Sequence, residues 1–257
     1  MKLGFLGCGS LGRALLDGWL AAEVVSPAEV TVADPYTAQD LAQTLGVTAG
    51  TSSEVVDVSD VVLLAVKPHH LDSATDGLAF REDQVVVSVL AGVPLARVAA
   101  RVHPATVVRV MPNVAARVGH AVTFVLEGPR ASVGAQLFGA VGHVEPLTDE
   151  DHFHVGTALA GSGPAYIFVA IEALADAAVA RGLPRAAALR VAAHTVAGAG
   201  LLAATDGRHP AQLKDAVASP GGTTIYALRA LERAGFRAAL VEAVLAAAHR
   251  SEELADP

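Results

Sequence analysis

The stretch that most constrains this chain is Gly7-Cys8-Gly9-Ser10-Leu11-Gly12. It follows Lys2-Leu3-Gly4-Phe5-Leu6, a short apolar run that reads as a buried strand. It precedes Arg13–Leu20, whose apolar residues recur at helical spacing. In a strand–loop–helix context each glycine of G-x-G-x-x-G has a physical task. Gly7 permits the tight turn, Gly9 lets backbone approach a pyrophosphate, and Gly12 lets the helix pack close to the strand. The free N–H groups and positive dipole end of the helix then hold the phosphates. The competing reading is a tight strand-to-helix turn with no ligand.

The first half continues as alternating strands and helices. Val30–Ala33 is a second strand, followed by Asp34-Pro35 and a helix near Thr37–Leu45. Val61–Val66 and Gln84–Leu90 are continuous apolar runs, the mark of strands covered on both faces. A short helix is expected at Pro94–Arg101, a strand at Thr106–Val110, and later strands at His120–Leu126 and Val141–Leu147 around a helix at Ala131–Gly139. This alternation implies an α/β fold with a Rossmann-like, doubly wound, mostly parallel sheet. From about Thr148 the pattern turns helical: Pro164–Arg181, Pro184–Ala204, Pro210–Ala218, Gly221–Arg233 and Phe236–Glu253. Residues 1–150 are therefore expected to form a dinucleotide-binding domain and 151–257 an all-helical domain.

Composition narrows the function. Hydrophobic residues make up 53% of the 257 and charged residues 17%, enough for a sizeable core and against disorder. The net charge of −8, with no basic run, excludes nucleic acid and anionic membrane surfaces as natural partners. The single cysteine, Cys8, excludes an intrachain disulfide framework and fits a reducing cytosol. The longest uncharged run, Val155–Ile171, carries glycines and a proline and falls short of a membrane span. A soluble cytoplasmic protein is expected. The helices of the second half are alanine-rich nearly all round, so dimerisation is the economical way to bury them.

Ligands of such sheets bind outside the carboxyl ends of the strands. Gly7–Gly12, Asp34, Ala65–Pro68 and Ala91-Gly92 all leave such ends. Asp34 lies about 20 residues beyond Gly12, where an acid accepts the adenosine ribose hydroxyls of NAD and repels the 2′-phosphate of NADP. A turn or N-cap role is equally open, and the two can coexist. Lys67, beside the cofactor cleft, can contact the cofactor. Asn113, after Met111-Pro112, reads on spacing alone as an ordinary polar loop residue. Gly161–Tyr166 and Ser219-Pro220-Gly221-Gly222-Thr223-Thr224 each put Ser, Gly and Pro just before a helix. The second offers backbone N–H groups, a helix dipole and two threonine hydroxyls to a carboxylate; simple capping by Ser219 or Thr223 is the alternative. No metal-ligand spacing or hydrolase triad is visible.

Taken together these motifs resemble the pyrroline-5-carboxylate reductase family. The resemblance runs essentially end to end. It rests on Gly4–Gly9, Val66-Lys67-Pro68, Met111-Pro112-Asn113, Gly161–Tyr166, Glu172–Ala177, His209-Pro210, Leu213-Lys214-Asp215 and Ser219–Thr224. It implies an N-terminal Rossmann domain and a helical dimerisation domain, with homodimers that assemble in some members to decamers. It implies hydride transfer from NADPH or NADH to the C=N carbon of 1-pyrroline-5-carboxylate, a small anionic cyclic imine, giving L-proline. The family's substrate loop falls on Ser219, Gly221, Gly222, Thr223 and Thr224, with the Thr224 hydroxyl beside the ring nitrogen as the catalytic group. Its cofactor set falls on Gly7, Cys8, Gly9, Ser10, Leu11, Gly12, Asp34, Ala65, Val66, Lys67, Pro68, Ala91, Gly92 and Asn113.

Two features depart from the family pattern. Val114-Ala115-Ala116 replaces the usual Thr-Pro-Ala, and Asp34-Pro35 stands where many members carry a phosphate-binding residue. Asp34 implies that NADH is accepted comparably or better. The nearest alternatives are a related hydroxyacid or imine reductase and a non-catalytic NAD-sensing protein. The lack of a lysine in Pro164–Arg181 disfavours the hydroxyacid version. The intact Ser219–Thr224 loop disfavours the silent one.

Overall fold

The structure, a computed structural model, describes residues 1–255. It divides into two compact units: Met1–Gly161 together with residues 247–255, and Ser162–Ala246.

The first unit is built on eight strands: β1 (Leu3–Leu6), β2 (Val30–Ala33), β3 (Thr48–Ala49), β4 (Val61–Leu64), β5 (Val85–Ser88), β6 (Thr106–Met111), β7 (Ala121–Leu126) and β8 (Gly142–Leu147). Their order in the sheet is β3-β2-β1-β4-β5-β6-β7-β8. All neighbours are parallel except β6 and β7. The helices between them are α1 (Ser10–Ala21), α2 (Ala38–Leu45), α3 (Ser52–Val58), α4 (Leu71–Thr75), α5 (Leu95–Val102) and α6 (Ala131–Gly139). Alternate strand residues feed opposite faces. Phe5, Val32, Leu63 and Val87 join one apolar layer, while Leu6, Val62, Leu64 and Val86 join the other. Trp19 of α1 is fully buried in the first layer, between Phe5 and Phe138, with its indole N–H donated to Leu137 O at 2.8 Å.

The sequence did not anticipate β3, α3 and α4. Each is short, and β3 is only two residues long, too brief for periodicity to register. For α3 a signal was present: Thr51 and Glu54 form a reciprocal capping box. Helix α1 begins at Ser10, three residues earlier than its apolar spacing suggested, because Gly9 in an extended conformation serves as the N-cap.

The unit also keeps α7 (His152–Gly156) and a π-helical turn, Thr157–Gly161. Three ties explain why it runs past residue 150. Glu150 accepts the guanidinium of buried Arg109 on β6 and the Leu95 N–H at 2.6 Å. The Asn113 amide donates to Ala160 O at 3.1 Å. His154 Nδ1 lies 3.0 Å from Ser251 Oγ. Arg109 also stacks over Phe153, 4.4 Å from its ring centre.

The second unit holds α8 (Gly163–Ala180), α9 (Arg185–Thr205), α10 (Pro210–Ala216), α11 (Thr223–Arg233) and the start of α12 (Phe236–Ala255). Its own core is thin. Ala175, Ala188 and Ala192 are buried where α8 meets α9, with Ile171 and Ala178 beside them. Phe168, Val169, Val191 and Leu240 stay exposed. Two helical stretches, His152–Ala180 and Arg185–Thr205, are long and apolar enough to cross a membrane by length and composition. The uncharged run fell short of that length in the sequence; the helix containing it continues past Glu172 and Asp176.

Candidate active site

The loops that leave the carboxyl ends of β2, β1, β4, β5 and β6 line one edge of the first unit's sheet. The register aligns Leu6 with Ala33 and with Leu64, which brings Gly7, Asp34 and Ala65 together. Gly7 has φ +84°, and a Cβ there would sit 2.8 Å from Val66 Cγ1 and 2.9 Å from Val66 N. Only glycine fits a left-handed turn so crowded. Gly12 faces Gly7 O and Cys8 Sγ, a Cβ lying 3.3 and 3.4 Å from them, so α1 sits close on its own loop. Gly9 is the opposite: a Cβ would meet nothing within 4 Å. The three glycines thus give a strained turn, an open face and a close helix packing. With the unpaired N–H groups of the first helical turn, that is a cradle which fits the pyrophosphate of a nicotinamide dinucleotide.

Asp34 is part-buried and fully engaged with main chain. Its Oδ2 accepts the Cys8 N–H at 2.8 Å, and its Oδ1 accepts the Tyr36 and Thr37 N–H groups at 2.9 Å each. Burial pushes this carboxyl up, but the hydrogen bonds from Cys8, Tyr36 and Thr37 outweigh it and hold the group below the ordinary carboxylate range. The turn role is therefore present in the structure. Cys8 is buried, and burial, with Asp34 nearby, pushes its thiol up to about 12. A thiol so protonated is a small apolar side chain rather than a nucleophile.

Lys67 is exposed at the end of β4 and has no ion-pair partner among the described residues. Pro68 opens the short 3-10 turn after it. Gly92 takes φ +72° beside the end of α12, 3.5 Å separating its would-be Cβ from Leu254 O. Asn113 is buried and turned inward. Its Oδ1 accepts the Ala115 N–H at 3.1 Å, capping the 3-10 segment Val114–Val118, while its amide nitrogen goes to Ala160 O.

In the second unit Ser219–Gly222 forms a turn closed by the Gly222 N–H to Ser219 O at 3.0 Å. Pro220 is its second residue and Gly221, at φ +67°, its third, the residue choice of a type II turn. Gly222 is then the N-cap of α11, and no side chain caps that helix. Neither Ser219 nor Thr223 takes the capping role that was the alternative reading. The leading N–H groups of α11 and the Thr223 and Thr224 hydroxyls point to no partner among the described residues. A cavity of about 520 Å³ opens beside the loop, lined by Gly221, Lys214, Ile225, Tyr226 and Arg229 among others. The sequence reading missed Thr37, whose Oγ1 donates to Cys8 O at 3.1 Å. Its signal was the Asp34-Pro35-Tyr36-Thr37 turn itself, in which an aspartate carboxylate folds back on following N–H groups.

Residues 150–254 match the family model for pyrroline-5-carboxylate reductase dimerisation, and residues 2–92 match that for NADP oxidoreductase, coenzyme F420-dependent. The chain is 42% identical to the pyrroline-5-carboxylate reductase of Methanosarcina acetivorans, over 98% of this chain and 97% of that one. It is 43% identical to that of Arabidopsis thaliana, over 98% and 95%. The crystal structure of Plasmodium falciparum pyrroline carboxylate reductase with NADP bound superposes with a TM-score of 0.89 at 26% identity, covering 100% of this chain and 98% of that one.

Proposed function

The chain belongs to the pyrroline-5-carboxylate reductase family, and from that premise we propose how its own residues divide the work. It is an NAD(P)H-dependent oxidoreductase that reduces the C=N bond of 1-pyrroline-5-carboxylate to L-proline, the last step of proline synthesis, with the nicotinamide cofactor supplying the hydride. Gly7–Gly12 holds the cofactor's pyrophosphate. Ala65–Pro68, with the free Lys67 cation, and Ala91-Gly92 form the walls beside it. Asn113 acts from behind, by fixing the segment that follows β6.

The observation that carries the substrate reading is the uncapped start of α11 behind a Pro-Gly-Gly turn. An anion is held there by backbone N–H groups and the helix dipole without any arginine. Gly221 and Gly222 let the backbone approach the substrate carboxylate. Ser219 and Thr223 flank it. Thr224 donates its hydroxyl hydrogen to the ring nitrogen, so that the imine carbon becomes a better hydride acceptor. Orientation of a small rigid substrate supplies much of the rate, and the field of the loop adds to it. Thr224→Ala is the test. It is expected to lower kcat about 100- to 1000-fold, the order seen for loss of one oriented donor, while cofactor affinity is kept. Unchanged steady-state kinetics removes Thr224 from the mechanism.

The exposed helices of the second unit are served by a second copy. A homodimer buries their apolar faces, and assembly of dimers to a decamer is the larger form that the family resemblance suggests. Pairing of this kind also accounts for the two long apolar helical stretches without a membrane. A cytoplasmic location is supported by the lone buried thiol.

A further inference from the structure

Both backbone polar groups of Cys8 are taken by the turn after β2. Its N–H goes to Asp34 Oδ2 at 2.8 Å, and its carbonyl accepts the Thr37 hydroxyl at 3.1 Å. The other carboxylate oxygen of Asp34 holds the Tyr36 and Thr37 N–H groups, which fixes the turn that carries Thr37. Cys8 itself is buried, between Gly7 in a left-handed conformation and Gly9 with an open face. An acid whose task was only to read a ribose would keep its acceptor positions for the ligand. Here three of them are committed to main chain.

We propose that Asp34 and Thr37 are positioning residues that hold the phosphate-binding loop in its binding shape before any cofactor arrives, for NADH and NADPH alike. The inference rests on the reading of Gly7–Gly12 as the dinucleotide loop. A glycine-rich loop left free has a large conformational entropy to lose on binding. Two cross-links from a rigid turn remove that cost in the free protein, which is what preorganisation means for affinity. The Cys8 N–H is spent on the clamp, so the donors left for phosphate are the leading N–H groups of α1. Arg13, in the first turn of α1, is paired with Asp17 at 2.7 Å and lies 3.9 Å from Asp40, so it faces acids on both sides.

The clamp and the ribose-reading role separate experimentally. Thr37→Val keeps size and charge and removes one hydroxyl. Dissociation constants for NADPH and NADH, read from nicotinamide fluorescence, are expected to rise by a similar factor of about 2 to 10, the worth of one hydrogen bond. At saturating cofactor kcat is expected to stay within about twofold, since the clamp acts on binding rather than on the reacting atoms. Unchanged affinity for both cofactors, or a loss confined to one, overturns the proposal. Asp34→Asn gives a second reading. Because loss of its charge also eases the 2′-phosphate of NADPH, it is read by coupling: Thr37→Val made in that background is expected to cost less cofactor affinity than in the wild type, and an equal cost in both contradicts a shared clamp. Wild-type protein that binds neither cofactor would instead remove the loop assignment itself, and the proposal with it.

Discussion

Asp34 carries two demands at once. Its carboxylate is ionised and engaged by three N–H groups, so its charge is fixed at the end of β2. A fixed negative charge there disfavours the 2′-phosphate of NADPH whether or not the carboxylate touches the ribose, because like charges in a partly buried cleft are poorly screened. NADH is accordingly expected to be accepted comparably to NADPH or better. The measurement is kcat/KM for each cofactor at saturating substrate, and a ratio strongly favouring NADPH refutes the assignment. The sequence offered the ribose and turn roles of Asp34 as equals; it had no means of showing that the carboxylate reaches back to Cys8, a contact across 26 residues. Asn113 is similar. Its type and place after β6 were legible, but its partner Ala160 lies 47 residues further on.

At the scale of elements the reading was clearest where a segment is long or wholly apolar. The valine-rich runs gave β4, β5 and β6 because both faces of those strands are buried, and Gly7–Gly12 announced β1 and α1. Short edge pieces stayed hidden, since two to seven residues do not establish a period and their stability comes from packing. The strand–loop–helix unit itself makes a sharp forecast. Gly7→Ala puts a Cβ into Val66 in a left-handed conformation that costs about 1–2 kcal/mol by itself. A lowered melting temperature and weak cofactor binding are expected. Gly9→Ala meets nothing within 4 Å, so the fold should keep its melting temperature while the KM for cofactor is expected to rise at least about tenfold, because on the proposed reading the methyl occupies space left for phosphate. Equal effects of the two substitutions on stability would contradict these separate roles.

At the scale of the molecule, the second unit cannot account for its own apolar surface. Its buried centre is three alanines, while Phe168, Val169 and Leu240 face outward. Surface of this kind in a dimerisation domain is cover for another copy. Light scattering at micromolar concentration is expected to give at least twice the 26.1 kDa of one chain, and a monomeric mass would count against it. The glycine loop alone does not name the reaction, and the Ser219–Thr224 loop is the part of this chain proposed to carry it. The direct measurement mixes the protein with 1-pyrroline-5-carboxylate and NADH or NADPH and follows the nicotinamide absorbance together with L-proline formation. Cofactor oxidation matched mole for mole by L-proline is the expected result; no oxidation with either cofactor would contradict it.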